Sequence, residues 1–267
     1  MLSLMTYFHA VILGLVEGAT EFLPVSSTGH LILAQDLLGF SIASAKMFTV
    51  VIQLGAILAV CWLYRQRLFD VAFHLNQKKQ RFFVVKLFVA FLPAAIIGLS
   101  FHHAIETYLF SPLVVAVSLV LGGIVIWIVE KKKPSPTTHD MDDMTLKQAF
   151  LVGCAQAVAI IPGTSRSGAT IIGGLLLKLD RKVATEFSFF LAMPVMVAAT
   201  ALDVFKYYKD LTVNEIWVIA IGFVVSFFSG LAAVKFLVTY ISKHDFIPFA
   251  VYRILFGGAM IAYYTII

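Results

Sequence analysis

The sequence predicts an all-α polytopic membrane protein built from two inverted-topology repeats, each a re-entrant helical hairpin plus three transmembrane helices. Of its 267 residues, 60% are hydrophobic and only 13% are charged, a composition that excludes the class of soluble globular domains. The apolar residues form long runs, and two polar strings, residues 17–30 and 162–170, lie between shorter apolar stretches. Long runs are typical of membrane spans, and the polar strings indicate breaks within membrane-embedded helices.

Six apolar stretches are long enough to cross a bilayer, because a helix needs about 20 residues to span about 30 Å of hydrocarbon. They are residues 45–64, 83–101, 112–129, 186–205, 216–237 and 247–267. Four further stretches are too short to cross, since a helix rises only about 1.5 Å per residue: residues 2–16, 31–40, 150–161 and 171–179. These occur in pairs that flank the polar strings, so each pair is predicted to form one re-entrant hairpin.

The two halves of the chain are related by a shift of 139 positions. The shift aligns Gly14 with Gly153, Glu17 with Gln156, Ser26 with Ser165, Gly29 with Gly168, Ala45 with Ala184 and Phe48 with Phe187. We interpret the chain as one membrane domain with repeats at about residues 1–130 and 147–267. Because three spans per repeat is an odd number, the second repeat should be inverted, so the two hairpin tips can meet in one composite site.

The basic residues predict the orientation of the protein. The formal net charge is +5, and Lys and Arg concentrate in connections 65–81, 131–147 and 178–182. Short basic connections are usually cytoplasmic, so both termini are expected outside. The same distribution argues against a nucleic-acid partner, because the charges form no single basic face.

Glu17 and Glu21 are the first candidate functional residues. A spacing of four places both carboxylates on one face of a helix. In a low-dielectric cavity the two carboxylates repel each other unless a cation or an arginine lies between them. Hard oxygen ligands favour Mg²⁺ or Ca²⁺, which would bridge to a phosphate. The alternative is a solvated helix end.

Hydroxyl groups in the first tip indicate an anion site. Ser26, Ser27 and Thr28 precede a half-helix, where free backbone N–H groups and the helix dipole favour a phosphate. Simple helix capping would explain the same residues. His30 is a candidate general base because it follows these hydroxyls and the carboxylates, although a lone histidine is often structural.

Arg166 is the candidate phosphate-binding residue of the second tip. Its guanidinium is always charged and offers a planar fork of donors that suits phosphate, and an ion pair with Glu17 or Glu21 is compatible with that role. The neighbouring candidates for phosphate binding are Ser165, Ser167, Gly168 and Thr170. Gln53 either faces the cavity or holds a neighbouring helix, and Lys235 and Arg253 are expected to snorkel at span ends.

The two polar strings resemble those of the bacitracin-resistance family of undecaprenyl pyrophosphate phosphatases. The similarity extends to residues 51–60, 142–145 and 186–189. The resemblance implies hydrolysis of undecaprenyl pyrophosphate to the monophosphate carrier lipid, with a divalent cation. It also implies a location in the bacterial plasma (inner) membrane, with an active site that faces the periplasm or cell exterior. The implied functional residues are Glu17, Glu21, Ser27, His30, Ser165, Arg166 and Thr170.

The expected mechanism is attack by a hydroxyl, with Ser27 as the first choice and His30 or Glu21 as the base. Attack by water or by His30 itself is compatible with the sequence. A lipid-phosphate flippase or an anion transporter could use the same scaffold. The clustering of Glu, Ser and His beside Arg favours hydrolysis, and a homodimer is compatible with the sequence.

Overall fold

The computed structural model describes residues 3–42, 44–132, 134–207 and 212–266, and these residues form helices joined by short connections. In chain order the helices are α1 (Leu4–Thr20), α2 (Ser27–Leu38), α3 (Ala45–Leu63), α4 (Arg65–Phe73), α5 (Lys78–Tyr108), α6 (Pro112–Lys132), α7 (Leu146–Val158), α8 (Arg166–Leu176), α9 (Arg181–Tyr207), α10 (Val213–Ile241) and α11 (Ile247–Ile266).

The six predicted spans are confirmed within these described ranges: α3, α5, α6, α9, α10 and α11 each contain a stretch long and apolar enough to cross a membrane. Helices α5 and α9 begin five residues before the predicted spans, at Lys78 and Arg181. Hydropathy marks only the apolar part of a helix, whereas Lys, Arg and Gln continue it readily. The short helix α4, which follows α3 directly, was not predicted.

The polar strings lie at breaks between short helices, as predicted. Helices α1 and α2 contain 17 and 12 residues, and α7 and α8 contain 13 and 11. Ser26 and Ser165, the residues before α2 and α8, have positive φ angles of 70° and 74°. Such backbone is unfavourable for a residue with a side chain and is found mainly where the surrounding structure enforces it. The two strained serines are the positions that the 139-residue shift aligns.

Glycines allow the short helices to pack closely on long ones. Helix α1 packs along α10, and α7 packs along α5. A Cβ atom at Gly14 would lie 2.5 Å from the carbonyl oxygen of Gly222, and one at Gly153 would lie 2.2 Å from that of Ala90. Both distances are far below van der Waals contact, so these crossings require glycine. Gly14 and Gly153 are again aligned positions.

The connections with most of the basic residues lie on one face of the helical bundle. Arg67 contacts Asp142 at 2.7 Å, Arg181 contacts Glu130 at 3.0 Å, and Lys86 Nζ donates to the carbonyl of Met141 at 3.0 Å. Partial burial opposes ionisation of Asp142, but the hydrogen bond from Lys79 and the charge of Arg67 hold the pKa of this carboxyl below its ordinary value. The basic connections are therefore joined to one another by ion pairs.

The opposite end of the bundle is joined by a different contact. The backbone N–H of Ser44, just before α3, donates to Glu215 Oε1 at the start of α10, at 3.3 Å. Because Arg67 follows the other end of α3, the two sets of contacts lie at opposite ends of the spans.

We expect Gly153→Val to lower the stability of the protein by about 1–3 kcal/mol, since the added side chain would force α7 away from α5. Gly258→Ala is the matched control, because a Cβ at this position meets nothing within 4 Å. Unfolding of both variants in detergent would be compared with that of the unmodified protein. Equal stability of the two variants would contradict the packing described.

Candidate active site

The two glutamates lie at the end of α1 and are buried. Glu17 is within the helix, and Glu21 follows it with its N–H donating to the Glu17 carbonyl at 2.9 Å. Their exposed fractions are 0% and 8%, so the alternative of a solvated helix end is wrong. Neither carboxylate oxygen of Glu17 has a hydrogen-bond partner among the residues that the structure describes.

Glu21 connects the two polar strings. Its Oε2 accepts a short hydrogen bond from Ser27 Oγ at the start of α2, and its Oε1 accepts from Arg166 Nη2 at 3.0 Å. The ion pair that the sequence left open for Arg166, with Glu17 or with Glu21, is made with Glu21. Arg166 is held further by a bond from Nη1 to the carbonyl of Ser188 and by the face of the Phe22 ring, 5.4 Å away. A hydroxyl, a carboxylate and a guanidinium thus meet where three helices end.

A side chain of the second tip also binds the backbone of the first tip. Ser167, at the start of α8, is fully buried and its Oγ donates to the carbonyl of Leu23 in the first tip, at 2.8 Å. The hydroxyl that was expected to bind phosphate therefore binds the other polar string.

The remaining hydroxyl groups of the two polar strings differ in what they contact. Ser165 Oγ accepts from Gly168 N at 3.1 Å, so Ser165 caps α8. Thr170 Oγ1 lies 2.6 Å from Ser188 Oγ and contacts α9. The Ser26 side chain makes no capping bond to α2, and Thr28 is half-buried in the first turn of that helix. Ser26, Ser27 and Thr28 thus remain the candidates for direct phosphate contact.

His30 contacts α11. Its Nδ1 lies 2.8 Å from the carbonyl of Ser26, which can only accept, so Nδ1 carries the proton and Nε2 accepts from Tyr252 Oη at 2.6 Å. The ring also stacks on Phe256 at 4.2 Å. Within the described ranges no hydrogen bond joins His30 to the carboxylate pair. Tyr252 was missed by the sequence analysis, because nothing in its local pattern distinguishes it from an interfacial aromatic residue.

The expectation that Arg253 snorkels at a span end is wrong. Arg253 lies within α11, has an exposed fraction of 0%, and donates to five backbone carbonyls. These belong to Ser118 and Leu119 of α6, Pro24 of the first tip, and Gly163 and Thr164 of the second tip, at 2.9–3.2 Å. Both tips expose carbonyls that no helix satisfies, and the five donors of one guanidinium satisfy them. An ionisable residue inside an apolar span was the signal available in the sequence.

An apolar cavity of about 640 Å³ lies between α5, α7 and α9 and reaches Arg166. Its walls include Phe91, Leu99 and Leu202, and Gln156 lies at the same boundary as Arg166. The cavity extends along α9 from Arg166, which is close to Met196, to Lys206. Lys206 is ten residues beyond Met196, or about 15 Å along the helix. Gln53, the amide expected at the pocket, is half-buried on α3 and is absent from the boundary of this cavity.

The carboxylate pair fits a divalent cation only in part. The described residues contain no cluster of three or more His, Cys, Asp or Glu side chains that could hold a metal. Glu17 nevertheless offers two buried, unpartnered oxygens, and Mg²⁺ is commonly bound by one or two carboxylates together with substrate phosphates. Glu17 and Glu21 therefore suit a cation that arrives with a phosphate group.

These features define a polytopic membrane protein in which a buried cluster of Glu21, Ser27 and Arg166 lies at the end of an apolar cavity. A family model described as bacitracin resistance protein BacA matches residues 10–259, and the chain belongs to this family.

The chain is also similar to several proteins named undecaprenyl-diphosphatase. The chain is 57% identical to the undecaprenyl-diphosphatase of Nitrosomonas europaea over 93% of its own length and 91% of the relative. It is 50% identical to the undecaprenyl-diphosphatase of Methylobacillus flagellatus, over 98% of this chain and 100% of that one. It is 52% identical to undecaprenyl-diphosphatase 2 of Rhodospirillum rubrum, over 98% and 96% of the two chains.

We expect Arg253→Leu to lower the free energy of unfolding by at least about 3 kcal/mol, because each buried carbonyl left without a donor costs about 1–3 kcal/mol. The free energy of unfolding of Arg253→Lys should lie between those of Arg253→Leu and the unmodified protein, since Lys keeps the charge but has three donors instead of five. Lys235→Leu is the control, because the Lys235 side chain is exposed on α10. Denaturant titration in mixed micelles would measure the changes, and equal stability of Arg253→Leu and the control would contradict this role.

Proposed function

We propose that this protein hydrolyses undecaprenyl diphosphate to undecaprenyl phosphate and inorganic phosphate. The observation that carries the proposal is the cluster in which Glu21 accepts from both Ser27 and Arg166. The contact of a hydroxyl, a carboxylate and a guanidinium supports the proposal, because covalent phosphoryl transfer needs a nucleophile, a base and a cation that binds phosphate. The relatives named as undecaprenyl-diphosphatases support the same activity.

The shape of the site suits a lipid diphosphate. The cavity beside Arg166 is mostly apolar and has a volume in the range of ligand pockets. An isoprenyl tail would lie along α9 between α5 and α7, and the diphosphate would lie at Arg166. The terminal phosphate would then face Ser27.

The proposed reaction has two steps. Ser27 Oγ attacks the terminal phosphorus, the anhydride P–O bond breaks, undecaprenyl phosphate leaves, and the hydroxyl proton passes to Glu21. Water then attacks the phosphorus of the phosphoserine, the bond between Ser27 Oγ and phosphorus breaks, and inorganic phosphate leaves with the oxygen of the water. Glu21 returns its proton to Ser27 Oγ, which restores both residues. Glu21 is favoured over His30 as the base, because Ser27 already donates to Glu21 whereas His30 Nε2 is engaged by Tyr252.

Arg166 stabilises the charge that develops on the phosphoryl oxygens. Its guanidinium is fixed by Glu21 and by the carbonyl of Ser188, so little reorganisation is needed during the reaction. A divalent cation, Mg²⁺ or Ca²⁺, would be held by Glu17 and Glu21 and would supply further neutralisation of phosphate charge.

We also propose that the two halves are inverted repeats with re-entrant hairpins. The support is the reciprocal packing: α1 lies on α10 as α7 lies on α5, whereas α3 packs on α9 and α6 on α11. If the two halves are exchanged, the contact between α1 and α10 becomes the contact between α7 and α5. The contacts between α3 and α9 and between α6 and α11 remain the same. The aligned serines with positive φ and the aligned crossing glycines agree with this relation.

The proposed orientation places the basic connections in the cytoplasm and both termini outside. The site would then open to the periplasm or cell exterior of a bacterial plasma membrane. All proposed site residues come from one chain, and a homodimer is compatible with the proposal. Transport alone would need no hydroxyl hydrogen-bonded to a carboxylate, and for this reason hydrolysis is preferred over a flippase or an anion carrier.

We expect Glu17→Gln, Glu21→Gln and Arg166→Leu each to lower phosphate release by about 100-fold or more, the usual effect of removing a general base or a charge-stabilising group. The assay is release of phosphate from a short-chain isoprenyl diphosphate by the purified protein in detergent with Mg²⁺. Asp36→Asn, an exposed carboxylate further along α2, is the control and should keep the activity. Full activity in all three site variants would contradict the proposal.

We expect a phosphorylated intermediate on Ser27. The protein mixed with a substrate labelled in the terminal phosphate would be quenched rapidly in SDS near neutral pH, which preserves both phosphoserine and the acid-labile phosphohistidine. The label should be found on the peptide containing Ser27. Ser27→Ala should lose both the label and the activity. Label on His30, or an active Ser27→Ala variant, would show that another nucleophile is used.

A further inference from the structure

Gln156 carries an unusual unsatisfied amide. It lies on α7 with an exposed fraction of 2%, and both its Nε2 and Oε1 lack a hydrogen-bond partner within the described ranges. Burying an amide without partners is unfavourable, so such a side chain is expected where a ligand completes its bonding.

The cavity beside Gln156 indicates where that ligand lies. Gln156 and Arg166 both line the apolar cavity, whose other polar boundary residues are Asp203 and Lys206. Arg166 Nε also lacks a partner in the described structure. Donors without acceptors therefore converge at the place where the apolar walls meet the Glu21 cluster.

The repeat relation gives a reason for these two residue types. The shift of 139 positions aligns Gln156 with Glu17, and it also aligns Arg166 with Ser27. The positions that hold a carboxylate and a hydroxyl in the first repeat hold an amide and a guanidinium in the second. An amide can donate to a phosphate oxygen and adds no negative charge, whereas a carboxylate would repel the phosphate.

We propose that Gln156 is a substrate-binding residue, whose amide N–H donates to the phosphate adjacent to the lipid tail. This inference rests on the proposed function. Gln156 and Arg166 both line the tail cavity, whereas Ser27 is hydrogen-bonded to Glu21 and does not line it. Gln156 and Ser27 are therefore assigned to different phosphates of the substrate. The first repeat supplies the reacting groups, and the second repeat binds the leaving group.

The test compares Gln156→Leu, Gln156→Glu and the control Cys154→Ser, which changes a half-buried residue of the same helix that does not line the cavity. KM and kcat would be measured with a short-chain isoprenyl diphosphate, together with thermal unfolding in detergent. Gln156→Leu should raise KM about tenfold or more, which corresponds to about 1.4 kcal/mol of lost binding. Its kcat should change less than threefold.

Stability separates a binding role from a packing role. Gln156→Leu removes two unpartnered polar atoms, so its unfolding temperature should equal or exceed that of the unmodified protein. Gln156→Glu keeps the shape of the side chain but should raise KM at least as much, because its carboxylate faces the diphosphate. Cys154→Ser should keep KM within twofold. An unchanged KM in Gln156→Leu, or a lower unfolding temperature with a lower kcat alone, would overturn the proposal.

Binding of a non-hydrolysable isoprenyl methylenediphosphonate separates this inference from the proposed function. If the unmodified protein binds the analogue but releases no phosphate from the substrate, hydrolysis is refuted. The ratio of the dissociation constants of the Gln156→Leu variant and the unmodified protein then still decides the role of Gln156. A tenfold ratio supports that role, and a ratio near one overturns it. If the unmodified protein does neither, both proposals are rejected.

Discussion

The ion pair between Arg166 and Glu21 is the interaction on which the site depends. It joins the start of α8 to the end of α1 at 3.0 Å, in a chain whose spans are mostly apolar. A buried charge without a partner is far more costly than a paired one, so each of these residues requires the other. The pairing leaves Glu21 Oε2 free to orient Ser27. This electrostatic contact joins the two interrupted segments, together with the hydrogen bonds of Ser167 and Arg253, and sets the direction of the proposed nucleophile.

Arg253 satisfies backbone carbonyls of both tips by hydrogen bonds. Chain that leaves a helix within an apolar bundle exposes carbonyl groups without donors. Arg253 binds the carbonyls of Pro24, Gly163 and Thr164 while it stays attached to α6. Other features of the site reduce stability: Ser26 and Ser165 have strained backbone, which costs about 1–3 kcal/mol each, and the Glu17 carboxylate has no hydrogen-bond partner among the residues that the structure describes. The protein keeps these features where a substrate would use them.

Much of the architecture could be predicted from the sequence because the membrane restricts the choices. Only helices of sufficient apolar length can cross, so the six spans and the two breaks follow from hydropathy. An ion pair of Arg166 with Glu17 or Glu21 was one of two compatible roles that the sequence left open, and it is made with Glu21. The sequence favoured a cavity around Glu17 and Glu21 but also allowed a solvated helix end, and only the structure shows that both are buried.

Contacts between distant helices could not be predicted in this way. Arg253 and Tyr252 lie on α11, and their partners are fixed by how α11 packs on α6 and α2 rather than by any local pattern. The bonding of His30 to Tyr252 depends on that packing as well. Gln156 was aligned with Glu17 from the sequence, but its unpartnered amide and its cavity are visible only in three dimensions.

The most direct measurement of the central claim is a double-mutant cycle between Glu21→Gln and Arg166→Leu, with the free energy of unfolding measured in mixed micelles. If the two segments are held together by this ion pair, the double variant should be less destabilised than the sum of the single variants by about 1–3 kcal/mol. Additive changes, within about 0.5 kcal/mol, would show that the two residues do not interact and would contradict the account.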